Sequence, residues 1–387
     1  MRALCVAATL LSCALLARTA AFAAQPSAAL RLAPATAEAG DLFGSAVALD
    51  GTTLLVGAPG AHDFAGGAYV FAREPSGWSE LARLTLPDAL PGDQLGAAVA
   101  LSGSSALLAS ARPGARAGLF AFVRDADGSW LPQASWSLPQ ADVPQALALA
   151  GATAVVGGRQ AAYVYVQVAA GSWRLQARLQ PDPADAHSSG FGAAVAIAGA
   201  QILVGAPSAD HFEGAAYVFT RSPSGQWLRQ ARLTADAREF ALFGSAVALA
   251  DGYALVGAYG ESNFQGAAYL LRDSGHGWMQ QARLQSDDAV RAYQCFGRSV
   301  ALAAGAAIVG SPCTDPDETA EVAVYQYFPG ALQSWNERVR LGPAPAAARE
   351  NFASALATSG ELTVMGSPED GAAGAVYVAQ CDDCRAH

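Results

Sequence analysis

Three short segments set hydrogen-bonding and ionisable side chains at matching positions. They are His62-Asp63-Phe64, Asp210-His211-Phe212 followed by Glu213, and Glu261-Ser262-Asn263-Phe264. Imidazole, carboxylate and carboxamide groups held at equivalent points can together grip a polar ligand. The candidate ligand-binding residues are therefore His62, Asp63, Asp210, His211, Glu213, Glu261 and Asn263. The same residue types also have a plainer use. Asp and Asn ahead of an aromatic form turns in which the side chain satisfies the backbone, and on that reading the Phe anchors the turn in the core.

Other constellations carry less. Asp182 with Asp185, and Asp287 with Asp288, are carboxylate pairs of the kind that bind a cation or do general acid-base work, but solvated loop aspartates are the default on an acidic chain. Asp273-Ser274-Gly275-His276 holds the residue types of a nucleophile set inside one tight turn. A catalytic triad draws its members from separate parts of a fold, so this segment reads as a turn. No catalytic residue is assigned.

The elements that carry these residues come from a repeat. Leu42 to Phe71 reads LFGSAVALDGTTLLVGAPGAHDFAGGAYVF, and its words return at Gly44, Gly96, Gly192, Gly244 and Gly297, about 52 residues apart where no copy is missing. A decayed copy fills the double gap through Val155-Val156-Gly157-Gly158, and a last one runs from Asn351-Phe352-Ala353 to Val378, giving seven. Trp78, Trp130, Trp173, Trp227, Trp278 and Trp335 mark one point of the first six copies. Their regular placement points to packing. Within a copy, apolar runs of about five to seven residues break at Gly, Pro or Asp, the pattern of short strands and tight turns.

Four antiparallel strands per copy predict an all-β, seven-bladed β-propeller. The seventh copy stops after its third strand, and Ala29-Leu30-Arg31-Leu32 matches the Ala-Arg-Leu that ends other copies. The N-terminal strand is therefore expected to complete the last blade and remove an open sheet edge. The turns after the first and third strands are short. The longer connections all fall on the opposite face, including the loops that hold the seven candidate residues, and binding residues favour long loops on a rigid frame.

In the words Phe-Gly-Ser-Ala-Val-Ala-Leu, Leu-Val-Gly-Ala-Pro and Gly-Ala-Tyr-Val-Phe the chain resembles the FG-GAP repeat family, with Trp and Gln-Ala-Arg-Leu most like its bacterial secreted branch. The resemblance implies a propeller similar to the head of integrin α subunits, and extracellular recognition or adhesion. Many such repeats carry an Asp-x-Asp-x-Asp-Gly calcium loop. Here the corresponding connections are Asp50-Gly51-Thr52-Thr53, Gly199-Ala200-Gln201 and Ala304-Gly305, which offer too few carboxylates for the six or more oxygens calcium takes. No metal or other cofactor is expected.

Arg2, the apolar run Ala3 to Ala17 and Ala21-Phe22-Ala23 read as a signal peptide over 1–23. That leaves one propeller domain over 24–380 and a tail at 381–387, exported to the periplasm or the outside. No later segment reads as a membrane span. Net charge is −10 and all 23 basic residues are arginine, which argues against nucleic-acid partners. Cys295 and Cys313 lie at the same end of one hairpin, so a disulfide between them is reasonable; Cys381 and Cys384 form a second candidate pair, as a local disulfide in preference to a metal site. The expected function is a monomeric binding or adhesion propeller for an extracellular protein or glycan. An enzyme acting on polysaccharide and a passive surface protein are the competing readings.

Overall fold

The computed structural model describes residues 29–380 except 112–117, 160, 170, 183–184, 186–189, 236–239, 287–292, 304, 314–321, 331–333 and 343–350. The leader, the tail with Cys381 and Cys384, and the Asp287-Asp288 pair lie outside the described residues. Seven four-stranded antiparallel sheets follow one another along the chain. In the first blade the strands are Ala46–Asp50, Thr53–Gly57, Ala68–Glu74 and Gly77–Leu84. Blades two to six span 95–136, 146–179, 194–233, 247–284 and 299–341. The first strands of successive blades neighbour one another in a closed circle, the seventh meeting the first.

The second and third strands read as unbroken apolar runs because a blade is covered on both sides. Leu54, Leu55, Val56, Tyr69 and Val70 are all fully buried. Each core layer lies between two blades: Leu203, Val218 and Leu233 of the fourth pack on Phe243, Val256 and Tyr269 of the fifth. Each of the six repeated tryptophans joins one such layer, so their role is packing. The phenylalanine of the Phe-Gly word is the true anchor. It meets a third-strand tyrosine edge-on in Phe43–Tyr69, Phe191–Tyr217 and Phe243–Tyr269, with ring centroids 5.4–5.5 Å apart, an arrangement that favours the ring quadrupoles.

Glycines set how closely blades approach. A Cβ on Gly205, of the Gly-Ala-Pro word, would lie 2.0 Å from the carbonyl oxygen of Gly244, of the next blade's Phe-Gly word. The same clash would occur at Gly57, Gly157, Gly257 and Gly366. The two glycine words are two halves of one seam, in which backbone meets backbone with no room for a side chain. At the seam between blades six and seven, Ala353 stands where the Phe-Gly glycine belongs. It holds the left-handed φ of 61°, and its carbonyl accepts a hydrogen bond from Ser299 Oγ at 2.5 Å.

Closure follows the expected route. Leu30–Leu32 is the outermost strand of the seventh blade, in register Leu30 with Val378, Arg31 with Tyr377 and Leu32 with Val376. Arg31 thereby takes the place that Arg83 holds opposite Tyr69 and Arg232 opposite Tyr217. Cys295 and Cys313 are disulfide-bonded with Cα atoms 5.5 Å apart. Among the described residues no helix is long and apolar enough to cross a membrane.

Candidate functional site

The long connections gather on one face, and in blades one, four and five the loop after the second strand is the same tight left-handed turn. His62, Asp63 and Phe64 have φ of 52°, 57° and 63°; Asp210, His211 and Phe212 have 47°, 58° and 71°; Ser262, Asn263 and Phe264 have 53°, 60° and 61°. Left-handed backbone costs roughly 1–2 kcal/mol per non-glycine residue, least for Asn and Asp. That is why each turn places an Asp or Asn at one of its first two positions. Backbone bonds hold the turn, with Phe64 N donating to Gly60 O at 3.1 Å and Gly66 N to Ala61 O at 2.9 Å.

Each turn also splints its blade to the next. Gln94 N donates to Phe64 O at 2.8 Å, Leu242 N to Phe212 O at 2.9 Å and Cys295 N to Phe264 O at 2.7 Å. Beneath the turns lies a repeated clamp, in which a carboxylate meets the third-strand tyrosine and the arginine of Ala-Arg-Leu. In blade five Tyr269 OH donates to Glu261 Oε2 at 2.7 Å and Arg283 to Glu261 Oε1 at 2.5 Å. In blade seven Tyr377 OH and Arg31 Nε donate to Asp370 Oδ2 at 2.7 and 2.9 Å. Burial, reinforced by the accepting carboxylate, pushes the tyrosines up to about 12 at Tyr269 and about 12 at Tyr377.

The words that meet at the seams and frame these turns match the FG-GAP repeat profile over residues 28–71, 173–219, 227–271 and 278–327. The chain is an FG-GAP repeat propeller. A comparison with curated proteins returned no match. Among solved structures, similar folds include a protein from Lactobacillus plantarum at 13% identity, covering 77% of this chain and 85% of that one, TM-score 0.53. Two described as 6-phosphogluconolactonase candidates also resemble it. One is from Bacteroides fragilis, at 10% identity, covering 78% and 84%, TM-score 0.50; the other is from Bacteroides uniformis, at 11% identity, covering 78% and 85%, TM-score 0.51. At such identities the likeness is one of fold.

The FG-GAP frame divides the seven candidate residues. Glu261 is buried within its clamp, and Asp210 is ion-paired with Arg232; both secure the loops to the outer strands. His62, Asp63, His211, Glu213 and Asn263 are exposed on the rim. One expectation is corrected. The phenylalanines of these turns are not core anchors: Phe64, Phe212 and Phe264 are 47%, 46% and 36% exposed, because the left-handed backbone turns the third residue outward while the Phe-Gly phenylalanine fills the core.

Asp182 and Asp185 both accept from Arg229 at 2.9 Å, which ties the linker into blade four. Asp273-Ser274-Gly275-His276 is a turn closed on itself, with Gly275 N on Asp273 Oδ1 at 2.9 Å and His276 N on Ser274 Oγ at 3.3 Å. The calcium expected of many FG-GAP loops does not fit the first blade. Its one carboxylate there, Asp50, accepts from Gly103 N of the next blade at 2.6 Å, and among the described residues no three His, Cys, Asp or Glu side chains gather to share a metal ion.

What the residue types did not reveal is a pair of aromatic stacks on the rim. Phe212 stacks on Phe240 with centroids 5.8 Å apart and planes 13° apart, and Phe264 on Tyr293 at 6.2 Å and 8°. Phe240 and Tyr293 each stand three residues before a Phe-Gly phenylalanine. That shared offset in two copies was the available signal.

Proposed function

We infer that this FG-GAP propeller is an exported binding protein whose long-loop face recognises an extracellular protein or glycan. The observation that carries the reading is the division of labour in the turns of blades one, four and five. Glu261 and Asp210 lock the loops down, and the same turns hold His62, Asp63, His211, Glu213 and Asn263 outward on a backbone braced against the next blade. A rigid, outward-facing polar rim meets a partner without the entropy of ordering mobile loops. The disulfide between Cys295 and Cys313 suits an oxidising compartment, and the acidic chain suits partners other than nucleic acid.

The test is a panel of glycans and extracellular-matrix proteins presented to the wild type and to a variant with His62→Ala, Asp63→Ala, His211→Ala and Asn263→Ala. Binding by the wild type that weakens at least tenfold in the variant supports the reading. Binding that survives the four changes, or none to any member, overturns it. Turnover of a polysaccharide in the same panel replaces it with an enzymatic one.

A further inference from the structure

The two aromatic stacks are built alike and lie one blade apart. In each, the post-turn phenylalanine of one blade supports the ring that leads into the next: Phe212 under Phe240 between blades four and five, and Phe264 under Tyr293 between blades five and six. The supported rings remain open, Phe240 at 58% and Tyr293 at 43%. Both stand on left-handed backbone, with φ of 63° and 66°, braced by Leu242 N on Phe212 O at 2.9 Å and Tyr293 N on Asn263 O at 3.4 Å. Hydrogen-bonding groups border them: His211 and Glu213 beside the first, Asn263 beside the second.

The geometry points to a docking track for a linear glycan of neutral or amino sugars, each stack seating one sugar face. This deepens the recognition role proposed above and rests on it. A pyranose ring presents a face of C–H bonds, which suits the electron-rich face of an aromatic ring, and its rim of hydroxyls needs polar neighbours. Two like platforms a blade apart suit a ligand that itself repeats. Charge selects among glycans. Among the described residues around the first platform, Asp182, Asp185, Asp210 and Glu213 stand against Arg229 and Arg232, and the whole chain carries −10, so uronic-acid and sulfated chains are repelled. A second copy of the protein is a poor occupant, since four half-open rings offer well below the roughly 800 Å² per partner that a stable interface takes.

The experiment titrates the full mature chain with cellohexaose, a glucosamine hexamer and oligogalacturonate, following binding by calorimetry. It uses the wild type, a Phe240→Ser/Tyr293→Ser variant, and Phe64→Ser, which changes an exposed ring outside the two stacks. The expected result is binding of cellohexaose or the glucosamine hexamer, weakened at least tenfold in the double variant and within twofold of wild type in Phe64→Ser, with circular dichroism showing all three folded. Preference for oligogalacturonate, or equal affinity in the double variant, overturns the inference. If none of the three oligosaccharides binds while the wider panel finds a protein partner whose affinity depends on His62, Asp63, His211 and Asn263, the track fails and the recognition face stands. If neither assay shows binding, both fail.

Discussion

The inner seams and the outer rim of this ring obey different rules. At a seam, the glycine of one blade's Gly-Ala-Pro word lies against the glycine of the next blade's Phe-Gly word, and any Cβ would fall about 2 Å from a carbonyl oxygen. At the rim, the turns share one backbone but present different side chains: His and Asp in blade one, Asp and His in four, Ser and Asn in five. Sameness between copies therefore records steric necessity. Difference between copies marks where the molecule is free to specialise, and the specialised positions are the exposed ones.

The hardest test of that contrast is a methyl group in a seam. Gly205→Ala sets a Cβ against the backbone of Gly244, and neither strand can yield without separating two blades. A loss of about 4 kcal/mol or more is expected, read as a fall in the denaturant midpoint. A wild-type midpoint would show that the seams tolerate side chains, and the contrast would collapse.

The joint between seam and rim gives the next largest effect. Cys313 follows Ser311-Pro312 as Gly60 follows Ala58-Pro59, and Cys295 precedes Phe296-Gly297 as Leu42 precedes Phe43-Gly44. In blade five a Cβ on Gly260, the counterpart of Gly60, would meet Leu242 Cδ1 at 3.0 Å, so blade six replaces a leucine lying over glycine with a covalent bond. Replacing both cysteines by alanine opens a loop of 18 residues and should cost about 3 kcal/mol. Thermal melts of the oxidised wild type and the double variant measure it.

The clamps tie the rim to the outer strands and make stability depend on alkaline pH. Tyr269 and Tyr377 are raised from 10.0 to about 12 in the folded protein, so their contribution is complete below pH 10 and is lost as pH climbs towards 12, where unfolding releases their protons. At most this is roughly 2.7 kcal/mol per tyrosine. Denaturant midpoints at about pH 9 and about pH 11 should differ less in Tyr269→Phe than in the wild type, because the variant has no phenol to ionise at that clamp. An equal fall in both would show that Tyr269 carries none of the dependence.

A smaller effect should run the other way at the seam between blades six and seven, where alanine replaces the Phe-Gly glycine. Ala353 keeps the left-handed backbone of the glycine it replaces, and Ala353→Gly should raise stability by about 1 kcal/mol. An unchanged or lowered melting temperature would mean that the hydrogen bond from Ser299, and not the backbone conformation, sets the energy of that seam.

Much of the fold was legible because its causes are local and repeated. The Phe-Gly and Gly-Ala-Pro words recur since most seams are built on them, and Leu30-Arg31-Leu32, standing where other copies have Ala-Arg-Leu, betrayed the closing strand because Arg31 must face Tyr377 as Arg83 faces Tyr69. The candidate site was legible in part. Asp210 and Glu261 looked like ligand groups, but their partners Arg232 and Arg283 lie over twenty residues away, a pairing that only the strand register brings together. The turn phenylalanines looked like anchors because apolar residues usually go inside. Their outward direction follows from three successive left-handed residues, which composition does not show.

The last prediction asks whether the rim is as free as the contrast says. Phe240→Ser removes a ring that is more than half exposed and that stacks on Phe212. Substitutions at exposed sites away from caps and cores stay within about 0.5 kcal/mol, and the backbone bond from Leu242 N to Phe212 O that braces the turn does not involve the ring. The melting temperature should therefore barely move. A fall comparable to that of the seam variant would make Phe240 part of the scaffold, and its exposure would then be a by-product of bracing and not a surface left open for a partner. A negligible fall, set beside the collapse expected for Gly205→Ala, would leave these two aromatic stacks with no structural reason for their place, and recognition as the remaining one.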